Sequence, residues 1–192
     1  IRNKEWIHYG EDNNYFQWLI DRSVKSTTNG GIITSMSRMI YGKGLDATDS
    51  NRKTDEYAQM KSIFSKDALR GVITDRKLLG MGAFQINYKS GKVNKALHFP
   101  MNTLRAEKCN EDGEIEAWYY HPNWVDIKPS DKPLRIDAFG FGNGKKNEIL
   151  VVKPYAAGYT YYPPVDYQGA LPYALLEEEI ADYLINDTLD RK

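Results

Sequence analysis

This sequence contains almost no cysteine and has neither a long apolar run nor a signal-peptide pattern. Cys109 is the only cysteine among 192 residues, which excludes an internal disulfide framework and agrees with a reducing compartment. We expect its thiol to be buried and structural. No apolar run approaches the roughly 20 residues that a bilayer-spanning helix needs. These absences argue against a disulfide-rich secreted domain and against a membrane partner.

The sequence also has no surplus of charge of either sign. Lysine plus arginine and aspartate plus glutamate both total 26, so the formal net charge is zero. Proteins that grip nucleic acid usually carry a basic surplus, because phosphate neutralisation supplies most of the non-specific affinity. The balance argues against tight nucleic-acid binding, although balanced totals can conceal a basic patch. With 41% hydrophobic residues and 14 tyrosines, the sequence predicts a globular core rich in amphipathic rings.

Helical periodicity dominates the first part of the sequence. DNNYFQWLIDRSV predicts a helix with Asp12 or Asn13 as its N-cap, and TTNGG is expected to break that helix. TDEYAQMKSIF and SKDALRGVITDRKLLG predict a third and a fourth helix, the last with Ser65 as a cap. The second helix has an apolar stripe made of Ile32, Met36, Met39 and Ile40.

The period changes from about 3.6 to 2 after Met81. AFQINY, VNKALHF, TLRAEKC and EIEAWYY are separated by turn residues and predict an antiparallel meander, with RIDAF and EILVVKPY as further strand candidates. YTYYPPVDYQGALP predicts an extended connector, and a terminal helix is expected from about Leu171. The predicted fold is therefore α+β: N-terminal helices packed on an antiparallel β-meander, ending in a long C-terminal helix.

Gly42-Lys43-Gly44 is the first candidate for a phosphate-binding loop. A Walker A loop requires a glycine where Ser37 stands, and a serine or threonine where Gly44 stands. The segment also leaves a helix C-terminus, whose dipole repels anions, whereas phosphate loops lead into a helix N-terminus. We therefore predict a helix stop, with Gly42 or Gly44 as the left-handed residue.

GFGNGKKNE is the second glycine-lysine stretch. Phe139 stands where a Walker glycine is required, and Lys146 stands where a hydroxyl is required. Gly140, Gly142 and Gly144 alternate strictly, which also fails the dinucleotide spacing G-x-G-x-x-G. The stretch predicts a mobile hairpin loop rather than a ligand loop.

The remaining polar candidates carry no catalytic pattern. His8, His98 and His121 lie far apart and belong to no metal-binding motif. Glu177 to Glu179 are expected to form a solvated face, and YYPPVDY predicts a rigid connector rather than a polyproline ligand. No carboxylate pair stands out as an acid-base couple. The sequence thus predicts no enzyme and no catalytic, cofactor-binding or metal residues, and it assigns no nucleic-acid-binding residue.

Three segments taken together resemble a known family. They are EDNNYFQWLIDRSVKSTTNGGIITSMSRMIYGKGL, HFPMNTLRAEKCNEDGEIEAWYYHPNW and PPVDYQGALPYALLEEEIADYLINDTL. In this order they resemble the N-terminal half of the portal proteins of tailed bacteriophages, particularly those of phages and prophages of Bacteroidetes-type bacteria. Such proteins combine a helical opening, a "yiyGkGl" turn, a sheet with a "WYY..NW" pattern and a tyrosine-rich approach to a long helix. The resemblance covers most of the chain.

The resemblance implies a wing-type α+β domain over residues 1–170 and the start of a stem-type helix over residues 171–192. It implies a ring homo-oligomer, commonly a dodecamer, at the capsid vertex of a virion that is assembled in the host bacterial cytoplasm. Portal rings conduct DNA and dock the terminase large subunit, the major capsid protein and neck or adaptor proteins. The alternative is a non-viral module, or another head-tail connector, without catalytic activity.

Two expectations follow for behaviour in solution. A channel through which DNA slides should neutralise few phosphates, so we expect weak or no binding of duplex DNA near physiological salt. The terminal helical pattern has no capping glycine or asparagine, which predicts a piece of a longer polypeptide. Because an incomplete stem removes much of the ring interface, we expect the chain alone to be a monomer or small oligomer.

Overall fold

Four helices, six strands and a fifth helix follow one another in the computed structural model, which describes residues 6–144 and 146–190. Short 3₁₀ turns lie at Glu11–Asn13, Met101–Thr103 and Gln168–Ala170. This α+β architecture, with a long helix from Leu171, confirms the predicted fold class. The helices are α1 (Tyr15–Lys25), α2 (Thr27–Tyr41), α3 (Thr54–Ile63), α4 (Lys66–Leu79) and α5 (Leu171–Asp190). The strands are β1 (Gly82–Lys89), β2 (Lys92–Phe99), β3 (Leu104–Ala106), β4 (Ala117–Tyr120), β5 (Leu134–Asp137) and β6 (Glu148–Val152).

Serine side chains cap the starts of α2 and α4. The Oγ of Ser26 accepts a hydrogen bond from the N–H of Asn29, and the Oγ of Ser65 accepts one from the N–H of Ala68, both at 3.2 Å. The cap predicted at Ser65 is confirmed. The predicted break between the first two helices is present, but it lies at Ser26 rather than at TTNGG, because the cap at Ser26 lets TTNGG form the start of α2.

The N-cap predicted for α1 is also wrong. Asp12 and Asn13 have φ angles of 51° and 62° and belong to the 3₁₀ turn that precedes the helix. Asn14 occupies the cap position and makes no side-chain cap bond. The buried Oδ1 of Asn13 instead accepts hydrogen bonds from the N–H of Tyr9 and from Nε of Arg105. The side chain of Asn13, which was predicted to cap the helix, therefore makes tertiary hydrogen bonds instead.

The strands form two antiparallel sheets of three strands each, ordered β2-β1-β6 and β3-β4-β5. The antiparallel pairs predicted between neighbouring runs are present within each sheet. The pairing does not run unbroken from β1 to β4, however, because β2 and β3 belong to different sheets. Pro100 follows β2 and has no N–H to donate, and the turn Met101–Thr103 then redirects the chain into the second sheet.

The larger core surrounds a buried guanidinium. Arg105 on β3 is 1% exposed and donates hydrogen bonds to the carbonyl oxygens of Asn13, Leu104 and Asn102 at 2.8–3.0 Å. Its Cζ lies 5.1 Å from the ring centroid of Phe16 on α1 and 5.2 Å from that of Trp124. Burial lowers the pKa of Arg105 to about 10. The two aromatic rings and the carbonyl oxygens thus hold the charge in place of water.

Tyrosines of the extended connector close this core. The Tyr162 hydroxyl donates to the carbonyl of Ile7 at 2.6 Å and accepts from the N–H of Ala106 at 2.9 Å. Its ring stacks on Tyr9 with a centroid distance of 4.4 Å. Burial raises the pKa of Tyr162 far above its ordinary value, so this hydroxyl stays protonated. The connector predicted from the paired prolines therefore packs into the core of the domain.

A second, smaller core lies between α4 and the sheet β2-β1-β6. Gly71 on α4 faces His98 on β2 so closely that an added Cβ would lie 2.6 Å from the imidazole. The imidazole Nε2 of His98 lies 2.8 Å from Oδ2 of Asp75, which ties β2 to the helix. The buried apolar members of this cluster are Ala68, Val72, Phe84, Ile86 and Ala96.

Candidate functional site

The first glycine-lysine stretch ends α2, as predicted. The N–H of Gly42 donates to the carbonyl of Arg38 at 3.0 Å, and the N–H of Gly44 donates to the carbonyl of Tyr41 at 2.7 Å. Their φ angles are 52° and 87°, which favour glycine at both positions. Lys43 is exposed beside the carbonyl end of the helix. This segment has the geometry of a helix stop and not that of a phosphate loop.

The second glycine-rich loop encloses a carboxylate of the protein itself. Glu148 is 2% exposed and accepts hydrogen bonds from the N–H of Gly140 (3.1 Å), the N–H of Gly144 (3.3 Å) and the hydroxyl of Tyr88 (2.7 Å). Burial and the bond to Glu148 raise the pKa of Tyr88 to about 12. A Cβ at Gly142 would lie 2.3 Å from Oε1 of Glu148. The carboxylate of Glu148 thus binds the backbone N–H groups of this loop, where a ligand loop would bind an external anion.

The prediction of a hairpin at this loop is wrong, whereas its predicted mobility stays a prediction. The loop joins β5 to β6, which belong to different sheets, so it is not a hairpin connection. Its backbone is also bonded to Glu148, and the N–H of Phe139 donates to the carbonyl of Ile149 at 2.9 Å. The sequence pattern missed Glu148 because a single glutamate at the start of a strand carries no local sign of burial.

The histidines and the cysteine do not converge on a metal site. Within the described residues, no group of three or more histidine, cysteine, aspartate or glutamate side chains could hold a metal ion. His98 pairs with Asp75, and Nε2 of His121 lies 3.5 Å from Asp131. Cys109 is half-exposed rather than buried, and its Sγ lies 3.1 Å from the hydroxyl of Tyr161. The predicted burial of this thiol is therefore wrong.

Two of the three consecutive glutamates anchor α5. Glu177 accepts hydrogen bonds from the hydroxyl of Ser26 and from the N–H and hydroxyl of Thr28, at the N-terminus of α2. The bond from Ser26 contributes most to lowering the pKa of Glu177. Glu178 pairs with Arg22 of α1 at 2.5 Å, and both side chains are largely buried. The solvated face predicted for Glu177 to Glu179 is thus restricted to Glu179.

Beyond this anchor, α5 leaves the rest of the domain. We call residues 179–190 the projecting half of α5 and the remaining described residues the body. In the projecting half every side chain up to residue 189 is exposed except Asp187, which is half-buried. Tyr183 is 70% exposed and Leu184 is 56% exposed. Within the described chain, no helix combines the length and hydropathy that crossing a bilayer requires.

The apolar stripe of α2 lies on the surface rather than in the core. The buried positions of α2 are Asn29, Ile33 and Ser37, whereas Ile32 and Met39 are 56% and 66% exposed. Ile32 borders a cleft of about 430 Å³ between the start of α2 and the first half of α5. The apolar residues of α5 that line this cleft are Tyr173, Ala174, Leu176 and Ile180. An apolar surface thus extends across both helices.

A basic surface lies at the opposite end of α2. Tyr41 separates two depressions of about 490 Å³ and 250 Å³, and both are bordered by cationic side chains. Cζ of Arg70 lies 4.7 Å from the ring centroid of Tyr41. Among the described residues, none of these cations forms an ion pair. We call this surface the basic face, and it consists of Tyr41 with Arg38, Lys43, Lys61, Lys66 and Arg70.

The basic face was not predicted from the sequence, because balanced totals of charge do not show where the charged residues lie. The five cations come from α2, the following loop, α3 and α4, and no short segment of the sequence appears basic. The spacing of Arg38 and Tyr41 on α2, and of Lys66 and Arg70 on α4, indicates shared helix faces. That spacing is the one signal available from the sequence, and it does not show that the two faces adjoin.

No protein-family model and no curated protein matches this sequence. Solved structures do share the fold. One is a chain of the neck of an empty gene transfer agent (GTA) particle, computed with C6 symmetry. Its TM-score is 0.55 at 10% identity, and the match covers 73% of this chain and 36% of that chain. Another is a chain of the virion of a native GTA particle, with a TM-score of 0.50 and 14% identity over 65% of this chain and 31% of that chain. The chain spans about a third of the length of both.

Proposed function

We propose that this chain is the wing region of a phage-type portal subunit, a structural component of a virion rather than an enzyme. Residues 1–170 form the wing and residues 171–192 begin the stem helix. The assembled ring, commonly a dodecamer, stands at the capsid vertex, conducts DNA during packaging and ejection, and docks the terminase large subunit, the major capsid protein and neck or adaptor proteins. Assembly takes place in the cytoplasm of a bacterial host.

The observation that supports this proposal most is the fold that the chain shares with chains of the GTA neck and virion. At 10–14% identity that likeness concerns the fold alone. It gains weight from the three sequence segments that resemble portal proteins, because they occur in the family's order along most of the chain. The function is inferred from this shared fold together with the sequence resemblance.

The exposed apolar surfaces also support an assembling subunit. Ile32, Met39, Tyr183 and Leu184 are more than half exposed on α2 and α5. Contiguous apolar surface on a soluble domain marks a contact with another molecule. Self-assembly into a ring would cover such surface, and catalysis would not require it.

Another head-tail connector is the second candidate. One similar structure is a chain of a particle neck computed with C6 symmetry, which favours this second candidate. Both candidates predict a multi-subunit position between head and tail, and both lack an enzymatic step. A portal subunit should form a closed ring without other phage proteins. Another head-tail connector would need such proteins to assemble.

Duplex DNA is proposed to pass the assembled ring without tight binding. The formal net charge of zero supports this, because affinity for DNA rises with each neutralised phosphate. A fluorescence titration of labelled duplex near physiological salt should show weak or no binding. Sub-micromolar affinity would contradict the proposal of loose passage.

Labelling of intact particles tests the location directly. Antibodies raised against the body and coupled to gold should bind at one vertex of disrupted particles from the source phage or prophage. Labelling over the whole capsid, along the tail or on no particle would contradict a portal-vertex location.

A further inference from the structure

We infer that the projecting half of α5 of one copy packs against the basic face of a second copy, so that neighbouring subunits join head to tail. The inference rests on the proposed function, because it names the contact that links one ring subunit to the next. It assigns the projecting half of α5 and the basic face to each other as partners.

The projecting half of α5 supplies acidic and apolar groups together. Residues 179–189 contain Glu179, Asp182 and Asp187 and no basic residue, and Glu179 and Asp182 are exposed. Its exposed apolar side chains are Ile180, Tyr183, Leu184, Ile185 and Leu189. A helical segment of this length, about 18 Å at 1.5 Å per residue, gains little stability in water without packing. It therefore suits a partner that is both apolar and basic.

The basic face has that composition. Five cations border the two depressions on either side of Tyr41, and the smaller depression also includes the half-buried side chains of Leu45, Phe64 and Leu69. A hydrogen bond with Tyr57 is the main cause of the raised pKa of Lys61, and Asp46 adds a smaller effect. Asp46 is therefore a carboxylate already close to this face. An acidic helix from outside would place carboxylates opposite these cations, which form no ion pair within the described residues.

Within one copy, the projecting half of α5 and the basic face are separate surfaces. The anchor of α5 is at Ser26 and Thr28, whereas Tyr41 is at the other end of α2, about 22 Å away at 1.5 Å per residue. The cleft between α2 and α5 extends along α5 no further than Ile180. The two patches are different surfaces, so their contact is heterologous. Repetition of a heterologous contact builds a closed ring when the rotation permits.

DNA is the competing occupant of a basic face. The observations favour a second copy because the same chain carries the complementary acidic helix, and because the charges sum to zero over the whole sequence. Phosphate binding would leave the apolar groups of α5 exposed and unexplained. Reversing charge on each surface distinguishes the two occupants.

The test is a charge-reversal cycle in the 192-residue chain, followed by sedimentation velocity up to millimolar concentration at low salt. Arg38→Glu with Arg70→Glu changes the basic face, and Glu179→Lys with Asp182→Lys changes α5. Each pair alone should weaken association by about tenfold or more, and the four changes together should restore it, because attraction replaces repulsion. Lys92→Glu with Lys95→Glu, on exposed positions of β2, is the matched control and should leave association unchanged.

Photo-crosslinking locates the contact independently. A benzophenone amino acid in place of Tyr183 should link to residues 38–45 or 61–70 of another copy. Links that map elsewhere, failure of the fourfold variant to restore association, or a wild-type chain that stays monomeric without cross-links would each overturn the inference. DNA binding that is lost in the Arg38 and Arg70 variant, with association unchanged, would also overturn it. Rings of the full gene product that link elsewhere would reject this contact and leave the portal proposal standing.

Discussion

The body buries charged side chains, whereas the projecting half of α5 exposes apolar ones. In the body, Arg105 and Glu148 are almost fully buried, and backbone carbonyl or amide groups bond to both. In the projecting half, Tyr183 and Leu184 are mostly exposed. The first arrangement needs full satisfaction of each polar group within the chain. The second leaves apolar surface that the described residues do not cover, which marks a contact site.

The comparison separates what holds the domain together from what the domain offers to partners. Changes to the buried polar groups of the body should lower the free energy of unfolding and leave association intact at temperatures below unfolding. Changes in the projecting half should weaken association and leave the free energy of unfolding nearly constant.

The largest effect on stability is expected for Arg105→Met. The change leaves the carbonyl oxygens of Asn13, Leu104 and Asn102 without this donor inside the core, so the free energy of unfolding should fall by about 3 kcal/mol. Urea unfolding followed by tryptophan fluorescence measures the change. Arg135→Met is the matched control, because Arg135 is exposed on β5 and its ion pairs should contribute about 1 kcal/mol or less. Equal losses in the two variants would contradict the role given to burial.

Glu148→Gln should have the next largest effect. An amide keeps one acceptor oxygen but places an NH₂ group toward donors that the carboxylate satisfied, so we expect a loss of about 1–2 kcal/mol. Amide exchange of residues 139–144 should also accelerate. Tyr88→Phe removes only one of these bonds and should cost less. Unchanged stability in Glu148→Gln would show that the loop does not depend on this anion.

Ser26→Ala should lower the free energy of unfolding by about 1 kcal/mol through loss of the helix cap. Ser65→Ala removes a similar cap from α4 and should cost a similar amount. Only the change at Ser26 also removes a bond to Glu177, so only this variant should speed hydrogen exchange in residues 171–178. Equal exchange in the two variants would argue that α5 is held by other contacts.

The smallest effect on stability is expected in the projecting half. Tyr183→Gln combined with Leu184→Gln should shift the free energy of unfolding by no more than about 0.5 kcal/mol, because both side chains are exposed. The same variant should weaken self-association measured by sedimentation. A large loss of stability here would place α5 in the core of the domain, contrary to the comparison.

The sequence predicted elements better than their packing. The helix stop at Gly42 and the start of α5 at Leu171 follow from local backbone chemistry and are confirmed. The stripe of Ile32 and Met39 has the periodicity of a core-facing surface, yet it faces outward. Periodicity shows that a helix has an apolar side, and it does not show which molecule will cover that side.

Long-range polar contacts were inaccessible from local patterns. Asn13 binds Arg105 across 92 positions of the sequence, and Glu177 binds Ser26 across 151. In both cases a residue suited to a local role, capping or solvation, makes a tertiary hydrogen bond instead. A single sequence contains no signal for such pairs, because neither partner departs from ordinary composition.

Electron microscopy of the purified gene product that contains this sequence tests the central proposal most directly. A portal subunit should form closed rings with a central channel wide enough for duplex DNA, in the absence of any other phage protein. Variants with charge reversal on the basic face should form fewer rings. A gene product that remains monomeric at high concentration, or assembles without a central channel, would contradict the account.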